Sequence, residues 1–170
     1  GRSAADMRDF LQSLQGRHKV KVVCIDMNSA YRRLVREWFP NARIVADRFH
    51  VIRLVNQHFS ELCKAVDEKQ LAYGRGGMMR LLLTRRDRLT DVQKERLRTY
   101  FNSRPDIESL YEFLHDTADL LRVRAQSVDS CRKYVTELLD KIDQLRKTPF
   151  APLRTLGKTL HNWREEVARM

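Results

Sequence analysis

Three residues have the types and spacing to do chemistry, namely Asp26, Asp47 and His50. Each aspartate closes a short apolar run, VKVVCI before Asp26 and RIVA before Asp47, and the histidine stands three residues beyond the second. If the runs are adjacent parallel strands, their spacing of about 4.8 Å puts both carboxylates within reach of one divalent ion. Hard oxygen ligands with open positions suit Mg²⁺ or Mn²⁺, which would orient and polarise a phosphodiester. The structural alternative stands beside this. An aspartate after a strand is also a common helix cap or turn former, and a histidine opening a helix is commonly a hydrogen-bonded packing residue.

Elements able to position these residues are legible around them. Residues 20–25 are apolar and β-branched apart from Lys21, the composition of a parallel strand covered on both faces. Asn28 or Ser29 can cap the following helix, whose Tyr31, Leu34, Val35 and Trp38 fall at i, i+3, i+4 and i+7, and Pro40 ends it. A second strand follows at residues 43–46. A helix of about three turns is the usual crossover between neighbouring parallel strands, and ligands gather at the carboxyl ends of such strands. Upstream, Met7, Phe10, Leu11 and Leu14 predict a short lead-in helix stopped by Gly16.

From His50 onward the period is helical. Ile52, Val55, Phe59, Leu62 and Val66 form one stripe, and the glycine cluster GRGG at residues 74–77 predicts a turn or mobile loop. Thr90 with Gln93 forms a capping-box pattern, Pro105 opens another helix, and two further stripes run from Cys131 to Leu145 and from Leu153 to Val167.

Composition narrows the partners. With 33 Lys plus Arg against 22 Asp plus Glu, the formal charge is +11 and a polyanion, nucleic acid first, is the expected partner. Charge is segregated: residues 71–104 carry nine basic and three acidic side chains, whereas residues 105–120 carry five acidic and no Lys or Arg. Arg80, Arg85, Arg86 and Arg88 read either as a phosphate-gripping face or as a solvated helix end. Cys24, Cys63 and Cys131 lack the pairing of a disulfide framework or a zinc site, which fits a reducing cytosol. No apolar run approaches the roughly 20 residues of a membrane span, and no signal peptide is visible, so a soluble protein without a membrane partner is expected. The chain starts on Gly1 and stops at Met170 inside a helical pattern, as a piece of something longer would.

The run V-x-V-V-x-I-D-M-x-x-x-Y followed by F-P-x-A-x-I-V-x-D-x-F-H-V resembles the bacterial insertion-sequence transposases of the DDE class. These have an RNase H-like core, and the subgroup resembled carries Asp-x-x-His after its second catalytic aspartate. RLLLTRRDRLT, SLYEFLHD and LGKTLHNWREEV resemble the all-helical region between that subgroup's second and third catalytic carboxylates. The resemblance implies that Asp26 is the second catalytic, metal-binding carboxylate, at the end of the fourth strand of the sheet. Asp47 and His50 then form the Asp-x-x-His pair, in a supporting role because related subgroups replace that aspartate with cysteine. It further implies Mg²⁺ or Mn²⁺ in the full-length enzyme, DNA as substrate, and a bacterial cytoplasmic setting. The first aspartate has no strand to sit on in residues 1–19, where Asp6 and Asp9 fall on a predicted helix, and the third carboxylate is expected beyond WREEV. Glu165 and Glu166 read as helix-surface charges.

The fold class expected is an α/β fragment plus an all-α part. Residues 1–56 form a partial RNase H-like core with two parallel strands, residues 57–150 a helical insertion region, and residues 151–170 a helix leading toward the missing glutamate. Self-association is expected through the exposed sheet edge or in the full-length transposase. The rival reading is a non-catalytic basic helical module that binds DNA or another protein.

Overall fold

The computed structural model describes residues 4–71, 77–124 and 127–170, the side chains of residues 4–6 excepted. In chain order the elements are α1 (Ala4–Ser13), β1 (Val22–Ile25), α2 (Ser29–Trp38), β2 (Arg43–Ala46), α3 (Arg48–Val66), α4 (Glu68–Leu71), α5 (Met78–Leu83), α6 (Asp91–Ser103), α7 (Pro105–Leu120), α8 (Val128–Lys147), α9 (Ala151–Asn162) and α10 (Arg164–Ala168). Single 3-10 turns cover Arg17–Lys19 and Arg86–Arg88. This is the expected small α/β portion followed by helices. Two compact units emerge, Gly1–Val51 with Asn162–Met170, and Ile52–His161. The glycine cluster lies outside the described residues except for Gly77, which adopts φ 73° just before α5. Among the described residues no helix is long and apolar enough to cross a membrane.

In the first unit β1 and β2 pair in parallel, Val22 opposite Arg43 through Ile25 opposite Ala46. Alternation puts Val23, Ile25, Ile44 and Ala46 on one face, where Ile44 and Ala46 are buried. The other face is open: Val22 is 57% exposed and Cys24 is exposed. Coverage of both faces, which the apolar run predicts, is therefore not met. Apolar composition records that a strand is built for burial, and here the described residues cover only one side.

The two sheet edges also differ. Arg43 N donates to Lys21 O (2.9 Å) and Asp47 N to Ile25 O (2.7 Å), so the intervening Ile44 carbonyl points outward, away from β1. Arg169 Nη1 donates to that carbonyl at 3.2 Å and covers the outer edge of β2. On β1 the outward backbone groups of Val22 and Cys24 meet no partner among the described residues.

The chain's last residues are fastened by arginines. Arg32 pairs with Glu166 at 2.8 Å, donates to Asn162 O at 2.9 Å and lies 3.6 Å over the Trp163 ring. Arg36 approaches the same glutamate at 3.8 Å, and Arg48 donates to Met170 O at 2.7 Å. Glu166 is only 3% exposed, which corrects the reading of both glutamates as surface charges. Glu165 alone behaves that way, exposed and paired with Arg169 one turn on.

The helical unit has its own core, with Phe59, Ile107, Leu121 and Leu156 fully buried. The Thr90–Gln93 capping box forms as expected and Pro105 occupies the first turn of α7. A Cβ on Gly157 would stand 2.6 Å from the Arg146 backbone nitrogen, so α9 meets α8 at a contact only glycine fits. Asp67, 8% exposed, accepts from Tyr100 Oη (2.8 Å) and pairs with Arg104 (2.7 Å), which satisfies a carboxylate that would otherwise be buried alone.

Candidate functional site at the strand ends

The ladder carries Asp26 and Asp47 to the same end of the sheet on neighbouring strands. Their surroundings differ from there on. After β1 the chain turns tightly, Asn28 N donating to Asp26 O at 2.7 Å, and Asn28 caps α2 by accepting from Ala30 N at 2.8 Å. Asp26 is thereby relieved of the capping role. Its Oδ1 is buried and has no hydrogen-bond partner. Such a group is costly unless something outside the described residues meets it, since an unpaired buried acceptor carries its full desolvation penalty.

Asp47 is fully engaged. Its Oδ1 accepts from Phe49 N (2.9 Å) and caps α3, and its Oδ2 meets His50 Nδ1 at 3.0 Å. The Phe49 backbone bond, then the His50 side-chain bond, holds the Asp47 carboxyl below the usual carboxylate range. The capping aspartate in turn fixes the His50 ring, whose edge lies against Phe49 at 5.5 Å and 89°.

Asp26 and His50 both line a cavity of about 410 Å³ with Cys24, Tyr31, Leu34 and Phe39 among its walls. Partial desolvation, and secondarily the Asp47 charge, pushes the Cys24 thiol above its ordinary value. Among the described residues no group of three His, Cys, Asp or Glu is placed to hold a metal ion. The free Asp26 oxygen has the chemistry of a hard-cation ligand. Both Asp47 oxygens are committed to the cap and the histidine.

Asp26, Asp47 and His50 are thus brought together in the first unit. The four arginines belong to the second and are not equivalent there. Arg86 pairs with Glu112, with Asp116 at 3.1 Å and with Asp119 at 3.9 Å, all on α7, and sits 5.7 Å over Tyr111. These acidic neighbours outweigh the burial that would lower its pKa and raise it instead. Arg85 is bonded to Asp87 at 2.9 Å. Among the described residues the side chains of Arg80 and Arg88 are exposed and have no partner.

Sequence reasoning passed over the Arg32–Glu166–Trp163 cluster. The signal available was modest: Trp163 and Glu166 at i, i+3 share a helical face, and Arg32 and Arg36 at i, i+4 share another.

Comparison with known proteins adds one match. Residues 1–170 fit a family model, DDE_Tnp_ISL3, described as Transposase. Nothing matches among curated proteins or among solved structures. With the whole chain covered, the protein belongs to the DDE_Tnp_ISL3 transposase family.

Proposed function

We propose that this chain is the middle part of an RNase H-like DDE transposase and that Asp26 is one of the carboxylates of its active centre. The observation that carries this is the buried, unpartnered Asp26 Oδ1 beside a helix that Asn28 already caps. Asp26 would hold Mg²⁺, or Mn²⁺ in its place, together with carboxylates from outside this chain, and the ion would neutralise charge on the scissile phosphodiester. The parent reaction is hydrolysis at the ends of an insertion sequence, followed by attack of the freed 3′-hydroxyl on target DNA. Asp47 and His50 support it by fixing the start of α3 against the end of β2. The open β1 edge and the uncovered Val22–Cys24 face receive further strands of the parent sheet. Where those strands are lacking, a second copy would pair through the same edge, since Arg169 covers the other.

The helical unit grips DNA phosphates, with Arg80 and Arg88 free to do so at once. Arg85 and Arg86 must first leave their carboxylates. This part of the proposal also describes a binding module without catalysis, so salt dependence does not separate the two readings. Activity does. The chain alone, with one carboxylate, has no strand-transfer or nicking activity in Mg²⁺ or Mn²⁺. In a longer chain with an upstream strand bearing Asp and a downstream Glu, Asp26→Asn abolishes both steps. Metal-dependent nicking by the 170 residues alone, lost in Asp26→Ala, would overturn the fragment reading.

A further inference from the structure

Phe49 is, with Phe10, one of two phenylalanines left largely exposed in the first unit. It lies in the opening turn of α3, two residues before Val51, which is 0% exposed, yet it is itself 67% exposed. The helical period explains how. Val51, Val55, Phe59 and Leu62 form the buried stripe, and residue 49 projects about 160° away from Val51 at 100° per residue. Leaving a phenyl ring in water forfeits one of the larger burial gains available to a side chain.

The Phe49 backbone is nevertheless held, and the ring has an aromatic neighbour. Its backbone nitrogen is fixed by Asp47 Oδ1 at 2.9 Å, and the His50 ring abuts it at 5.5 Å, nearly perpendicular. His50 in turn is fixed by Asp47 and lines the cavity that Asp26 lines. An exposed aromatic ring, anchored by a capping aspartate one residue from that cavity, is a preorganised flat apolar platform. The chain that carries it has a net charge of +11. Neither Phe49 nor Phe10, 63% exposed on α1, lines that cavity, and each adjoins a residue that does, His50 and Leu11; Phe10 provides the contrast because it lacks the Asp47–His50 anchor.

We propose that Phe49 is a stacking platform for an unpaired DNA base beside the Asp26 site. The inference rests on the reading of this chain as part of a DNA transposase and deepens it. Bases inside a duplex have both faces covered by their neighbours, so an exposed ring can take only a base at a strand end or one turned out of the stack. Stacking on an aromatic side chain tolerates any base, which suits a contact placed by geometry rather than by sequence.

The test uses the 170-residue chain and two probes, a duplex with a short 3′ overhang carrying 2-aminopurine at its first unpaired position, and the same duplex fully paired. Binding to the overhang quenches the 2-aminopurine fluorescence. Phe49→Ala removes the quench and weakens overhang binding about tenfold, in line with the worth of one base–aromatic stack. Affinity for the paired duplex is unchanged. Phe49→Trp restores quench and affinity, and Phe10→Ala behaves as the unmutated chain. If Phe49→Ala quenches and binds like the unmutated chain, the stacking proposal is overturned while the DNA reading stands. If the unmutated chain binds neither probe, the DNA reading falls and this inference with it.

Discussion

The two strands of the small sheet end in the same residue type and are finished in opposite ways. On the β2 side the polar groups at the strand end and edge are engaged: Asp47 caps α3 and holds His50, Arg169 covers the outward carbonyl of Ile44, and Arg32 pairs with Glu166 and lies over Trp163. On the β1 side everything is open. Asp26 keeps a buried oxygen without a partner, Val22 and Cys24 show an uncovered face, and the edge amides are unmet. Among the described residues, buried side-chain atoms without a partner occur on both sides, Arg32 Nε and Arg48 Nε as well as Asp26 Oδ1, and Asp26 is the carboxylate among them. On the proposed reading the Asp26 end carries the chemistry, and the Asp47 end supports it and presents Phe49.

The comparison breaks most readily at Glu166. Glu166→Ala leaves Arg32, whose side chain is 19% exposed, with an uncompensated charge, and the loss should be about 3 kcal/mol in urea unfolding of the first unit. A cost below about 1 kcal/mol would show that the closed side is not held by this pair. Next comes Asp47→Ala, which removes the α3 cap and should cost about 1 kcal/mol. It should also raise amide exchange at Phe49, whose N–H loses its acceptor.

A smaller effect separates the charge of Asp47 from its cap. Asn can accept the same bond from Phe49, so Asp47→Asn removes mainly the ionic part. The folded carboxyl lies below its ordinary value, so the folded state binds a proton less readily than the unfolded one. The stability it contributes is therefore present above the unfolded pKa of about 3.9 and is lost as pH falls through the folded value. Wild type should exceed Asp47→Asn at neutral pH, with the gap closing below about pH 4. Because the side chain is 39% exposed, salt should narrow the gap as well. A gap unchanged from pH 7 to pH 3 would mean that Asp47 acts only as a cap.

Much of this arrangement was legible in the residues themselves. The apolar runs and the i, i+3, i+4, i+7 spacing of Tyr31, Leu34, Val35 and Trp38 announce strand, helix and strand, because such patterns report local geometry directly. Glu166 was not legible. Its partners lie 134 and 130 positions away, at Arg32 and Arg36, and a local pattern cannot tell a surface charge from a buried one paired at long range. Arg86 falls between the two cases. The basic cluster and the acidic run of residues 105–120 were both plain, but not that Arg86 would be held by three carboxylates of that run. The cap after Asp26 was legible, Asn28 being one of its two candidates, whereas for Asp47 the pattern left capping and metal binding side by side.

The smallest expected effect on folding is at Asp26, and its smallness is the point. A residue kept for structure loses stability when its charge is removed, as Glu166 should. One kept for a ligand does not, because in the folded chain its oxygen has no partner to lose. Asp26→Asn should therefore move the unfolding free energy by no more than about 0.5 kcal/mol, or stabilise the chain slightly by replacing a buried unpaired carboxylate oxygen with an amide. Added Mg²⁺ at millimolar concentration should raise the wild-type midpoint little, one carboxylate being a weak site, and the Asp26→Asn midpoint not at all. The decisive pattern is the pair of outcomes at the two strand ends: a clear loss for Asp47→Ala together with a near-zero change for Asp26→Asn. If Asp26→Asn proved as destabilising as Asp47→Ala, both aspartates would be architecture, and the open side of the sheet would have lost its claim to chemistry.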